Sequence, residues 1–62
     1  MPKVVSGYKE QATQKILEAA RSVFTKKGYH EARMKDIAEM VGVGKPTLYL
    51  YFKNKEELFA AI

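Results

Sequence analysis

The chain has no cysteine, so neither a disulfide nor a thiolate metal site can hold it together. Its one histidine, His30, has no second imidazole with which to share a metal, and reads as a surface-loop residue. No two of its four glycines are adjacent, which leaves no glycine-rich loop to cradle a phosphate. The serines, Ser6 and Ser22, have no histidine–carboxylate setting, and the carboxylates fall mostly on solvated helix faces. These absences argue against an enzyme, a cofactor and a metal. The longest apolar runs are a few residues, far short of the roughly 20 that span a bilayer. The amino end, MPKVVSGYKEQ, lacks the apolar core of a signal peptide. A chain without cysteine fits a reducing compartment, so the expectation is a cytoplasmic protein with no membrane partner.

What remains is 62 residues, 47% of them hydrophobic, with a formal charge of +4. That is one small domain, with a core that is only marginally stabilising. Residues 1–28 carry Lys3, Lys9, Lys15, Arg21, Lys26 and Lys27 against Glu10 and Glu18. Residues 44–55 carry Lys45, Lys53 and Lys55 with no acid. Between them, Glu31, Asp36 and Glu39 balance the local bases. Two basic stretches suit a polyanion laid across two parts of a surface; a solvated basic face accounts equally well for the charge alone.

Hydrophobic periodicity places the elements. Residues 1–9 have no period and read as a flexible basic arm. Ile16, Leu17, Ala19, Ala20, Val23 and Phe24 form one stripe at helical spacing, which predicts a helix over 10–27. Lys26 and Lys27 complement its carboxyl-terminal dipole, and Gly28 suits the left-handed residue that ends it. Tyr29, just past that glycine, is expected to fold back onto the core. Met34, Ile37, Ala38 and Val41 repeat the pattern over 33–41, and Gly42 stops it; Met34 and Met40 read as core or core edge. Gly44 suits an N-cap, and Pro46 sits in the first turn of a helix over 45–51, where its missing N–H costs nothing. Leu48 and Phe52 share a face at i, i+4. Two short helices joined by Gly-Val-Gly make a helix-turn-helix. Asn54 with Glu57 resembles a capping box that opens a fourth helix. The fold class expected is all-α: a homeodomain-like three-helix bundle over 10–53, with 54–62 starting the fourth helix. Because that helix has no C-cap signal, the chain reads as the amino-terminal part of a longer protein.

Gly28-Tyr29, Ile37-Ala38, Gly42-Val43, Thr47-Leu48-Tyr49, Tyr51-Phe52 and Asn54-Lys55-Glu56-Glu57-Leu58-Phe59, in this order and spacing, resemble the tetracycline-repressor (TetR) family of bacterial and archaeal transcription regulators. The resemblance covers about residues 10–62. It implies that helices 2 and 3 bind double-stranded DNA at a palindromic operator. It also implies a fourth helix leading to a further domain that dimerises and takes a small-molecule effector. Carried over residue by residue, Lys45, Pro46, Thr47 and Tyr49 are the expected base-contacting positions. Arg33, Lys35, Gly44, Tyr51 and Lys55 are the expected phosphate contacts. The sequence departs from the family at Arg33, where threonine or serine usually caps helix 2; arginine has no acceptor with which to cap. It departs again at Gly44, where serine is common.

The chemistry of these residues agrees. A helix fits the major groove, where each base pair shows its own donor–acceptor pattern. Lys45 can donate to guanine, Thr47 can bond a base edge or meet a thymine methyl, and Pro46 either packs on thymine or simply starts the helix. Tyr49 and Tyr51 cannot both share the core face with Leu48 and Phe52, so at least one hydroxyl is expected to face outward. Lys55 at the start of helix 4 is a natural phosphate partner. The expectation is a sequence-specific DNA reader for transcription regulation, with repression as its sign, homodimeric at full length and monomeric as this fragment. The alternative from another class is a basic three-helix module that docks an acidic protein with no preference among duplexes. A sigma-factor-like or homeodomain-like reader shares the helix pair but not the Thr-Leu-Tyr-x-Tyr-Phe string.

Overall fold

The computed structural model describes the backbone of residues 4–62 and the side chains of residues 10–62. The described residues form four helices, α1 (Val4–Lys27), α2 (Met34–Val41), α3 (Lys45–Tyr51) and α4 (Lys55–Ala61). From residue 10 onward the helical periodicity therefore predicted the right class of element.

One boundary needs correction. Residues 4–9 were expected in a flexible arm, but they continue α1. Extending an existing helix gains one hydrogen bond for each residue fixed, and between Pro2 and Glu10 the largest single opposition is Gly7, at about 1 kcal/mol. The arm expectation for residues 1–3, and the side chains of Lys3 and Lys9, lie outside the described residues. At the other end Gly28 takes φ +84°, and its N–H bonds the Phe24 carbonyl at 2.8 Å, the left-handed termination expected of a glycine there.

Helix α2 starts one residue later than the pattern suggested. Arg33 is its N-cap, extended at φ −128° and ψ 152°, with no side-chain cap bond. Asp36 supplies half of a capping box instead: its carboxylate accepts the Arg33 backbone N–H at 3.2 Å. The reciprocal bond is chemically closed to a guanidinium. Asp36 also pairs with Lys27 Nζ at 3.4 Å, which joins the end of α1 to the start of α2. Gly42 ends α2 at φ +92°, and the Gly42 and Val43 amides both donate to the Ala38 carbonyl, at 2.9 and 3.0 Å. This turn aims α3 away from α2.

All four helices contribute to one core: Ile16, Ala19, Ala20 and Val23 of α1, Ile37 and Ala38 of α2, Leu48 of α3 and Leu58 of α4, with Ala32 from the loop. Leu17, Phe24, Met34, Val41, Val43, Tyr51 and Phe52 pack around it, partly buried. Met40 lies at the core edge: it is 49% exposed, about 60° round α2 from Ile37, and lines a shallow groove with Lys15, Glu18 and Ala19 of α1.

Candidate nucleic-acid interface

Helix α3 is held by a single fully buried side chain, Leu48, at 0% exposure. Everything else on α3 takes its direction from that anchor. At about 100° per residue, Pro46 and Leu50 both fall roughly 160° from Leu48, facing directly away from the core. Tyr49 lies on one flank and Thr47 on the other. Burial agrees with this geometry. Lys45, Pro46, Thr47, Tyr49 and Leu50 are exposed, and Tyr51 is half-buried. The expectation that one tyrosine would be outward is met by Tyr49, at 44% exposure, while Tyr51 packs against the core. Tyr51 and Thr47 line a groove of about 320 Å³ with Gln11, Lys15 and Val43. The α1 side of α3 is therefore a basic-edged cleft rather than open surface.

The helix start has no side-chain cap bond. Gly44 is the N-cap at φ −76° and ψ 159°, and Leu48 N–H bonds its carbonyl at 3.2 Å. A Cβ at Gly44 would meet Pro46 Cδ at 3.6 Å, an ordinary contact, so glycine is not sterically required there. Arg33 and Lys35 stand exposed at the opening of α2, and Lys53 is exposed just beyond α3. With Lys45 they give the motif a cationic border. Two acids close in sequence bond backbone amides: the Asp36 carboxylate accepts the Arg33 N–H, and Glu57 Oε1 accepts the Lys53 backbone N–H at 3.0 Å.

Lys55 has a different occupation from the one expected. Its ammonium donates to the carbonyls of Tyr29 at 2.6 Å, Ala32 at 3.0 Å and His30 at 3.1 Å. An ammonium has three protons, so all of them are placed inside the fold. Nζ also lies 4.6 Å from the centroid of the Tyr29 ring, within cation–π range. Lys55 therefore ties the first turn of α4 to the loop between α1 and α2, and in the free chain its three protons serve this junction, where a phosphate contact was expected. Tyr29 completes the junction. Its ring packs at 5.4 Å from Phe24 and 5.2 Å from Phe59, folded back as expected. Its phenol is held above the ordinary 10.0, first by burial and then by the charge and hydrogen bond of Glu56.

Sequence reasoning missed Leu50. It is 83% exposed, the highest value among the exposed large hydrophobics. The signal was present in the helical angle, which sets Leu50 opposite Leu48. Among the described residues, no group of three or more histidine, cysteine, aspartate or glutamate side chains is arranged to hold a metal. Among them, too, no helix is long and apolar enough to cross a membrane.

Comparison with known proteins matches residues 16–62 to the model of the bacterial regulatory proteins of the tetR family. An uncharacterized HTH-type transcriptional regulator of Bacillus subtilis, YfiR, is 43% identical over 61 residues, covering 98% of this chain and 30% of that protein. The HTH-type transcriptional activator FasR of Mycolicibacterium smegmatis is 43% identical over 54 residues, covering 87% of this chain and 25% of that protein. The HTH-type transcriptional regulator RutR of Escherichia coli K12 is 45% identical over 47 residues, 76% of this chain and 22% of that protein. The chain thus spans less than a third of the length of each of these relatives. No solved structure matches it.

Proposed function

Because the chain belongs to the tetR family of bacterial regulatory proteins, we propose that it is the DNA-reading part of a transcription regulator, with α3 entering the major groove of an operator half-site. Regulators of this family bind DNA and are not enzymes. The single observation that carries the site assignment is the face of α3: one buried anchor, Leu48, and an opposite face of exposed Pro46, Thr47, Tyr49 and Leu50. A helix that buries so little of itself against its own fold is free to be read into a groove.

Within this reading Lys45, Pro46, Thr47 and Tyr49 meet base edges. Arg33 and Lys35 at the start of α2, the Gly44 backbone, and Tyr51 at the cleft edge meet the phosphates on either side. The longer protein acts as a homodimer on a palindromic operator, one α3 per half-site, in the cytoplasm, and takes its effector outside residues 1–62. Repression is the sign proposed: a protein seated on an operator blocks access to it. One relative is named an activator, and a reporter promoter carrying the operator decides, since repression requires transcription to fall when the protein is supplied.

The test of DNA reading is a competition at fixed salt. A duplex selected from a random pool by the chain should outcompete a scrambled duplex of equal composition. Equal competition, matched by heparin or an acidic protein, would assign the basic face to a general polyanion or protein partner instead.

A further inference from the structure

Resting on the DNA reading above, we infer that Pro46 and Leu50 form an apolar ridge that reads the 5-methyl group of thymine in the major groove, which makes Leu50 a specificity-determining residue. Leu50 is 83% exposed, and Pro46, one turn earlier on the same outward face, is exposed too. A single exposed leucine on a helix is ordinary. This one continues a proline into a ridge whose crown has neither donor nor acceptor. Its flanks carry the hydroxyls of Thr47 and Tyr49. Its two ends carry Lys45 and Lys53, with no acid anywhere from residue 44 to 55. That charge pattern suits a nucleic acid and opposes an acid-rimmed protein groove.

A crown of hydrocarbon cannot sort bases by hydrogen bonds. It can sort them by the one apolar group the major groove displays, the thymine methyl. Four residues of helix rise about 6 Å, against about 3.4 Å per base along a strand. The ridge therefore spans roughly two base steps and selects one or two adjacent A·T pairs in each half-site.

The experiment uses the duplex selected by the chain itself. Each thymine is replaced in turn by deoxyuridine, which removes the methyl and leaves the hydrogen-bonding edge unchanged. The wild-type chain should lose roughly fourfold in affinity at one or two thymines, the equivalent of about 0.8 kcal/mol for one apolar carbon. Leu50→Ala should bind the thymine duplex more weakly and be indifferent to deoxyuridine at the thymine under Leu50, while a thymine under Pro46 keeps its effect. Because Leu50 is exposed, the variant should keep the helical circular dichroism of the wild type. A selected half-site without thymine, or deoxyuridine effects that persist undiminished at every thymine in Leu50→Ala, overturn the inference while leaving DNA reading in place. A change in the sedimentation of the free chain on Leu50→Ala overturns it as well, by assigning the ridge to contact between copies. If the wild-type chain prefers no duplex at all, the DNA reading falls and takes the ridge with it.

Discussion

The ammonium of Lys55 sits among three backbone carbonyls, and removing it leaves partly buried acceptors without partners. Lys55→Met keeps most of the apolar stem and deletes the three bonds. It should lower the unfolding free energy by about 1–3 kcal/mol, seen as a lower urea midpoint at unchanged slope. Unchanged stability together with a salt slope reduced by about one would restore the phosphate contact first expected of Lys55. The glycines of the turn separate by backbone angle. Gly42, at φ +92°, should tolerate alanine poorly, at a cost of about 1–2 kcal/mol. Gly44 has an ordinary φ and room for a Cβ, so Gly44→Ser should stabilise by a few tenths of a kcal/mol through its N-cap hydroxyl. Thermal unfolding of the two variants should move the midpoint in opposite directions.

At the scale of elements, helix α4 depends on its cap. Asn54 Oδ1 accepts the Glu57 N–H at 2.9 Å, and Asn54→Ala should cost about 1 kcal/mol by frayed helix content in circular dichroism. Helix α3 depends on Leu48: Leu48→Ala should cost about 2–5 kcal/mol. That is comparable with the whole stability of so small a core, and the chain should unfold. The elements were legible in the sequence because their signals are local. Apolar spacing, Gly28, Gly42, Pro46 and Asn54 each act within a turn or two. What escaped was either not local or not periodic. The carbonyls that hold Lys55 lie 23 to 26 residues away along the chain, so no spacing rule reveals them, and a lysine at the head of a helix reads as a phosphate partner by default. The amino-terminal part of α1 carries no apolar stripe and read as an arm, yet propagation from a formed helix needs none. Leu50 was overlooked because the tyrosines on either side of it carried the family resemblance, although the helical angle alone sets Leu50, like Pro46, opposite the buried Leu48.

At the scale of the whole molecule, charge and shape make one prediction together. Binding to duplex should weaken steeply with salt as counterions are released. Arg33→Ala should reduce the slope of log affinity against log salt by about one and leave the ratio of selected to scrambled duplex unchanged. Lys45→Ala should change that ratio. The central claim is narrower than either effect: α3, by the face opposite Leu48, is the surface that meets DNA. The most direct measurement is the map of backbone amide shifts in a ¹⁵N-labelled chain titrated with the selected duplex. The account predicts the largest changes at Lys45, Thr47, Tyr49 and Leu50, with smaller ones at Arg33 and Lys35. Changes concentrated instead around Phe59 and Ile62 of the fourth-helix segment, with α3 unmoved, would contradict it.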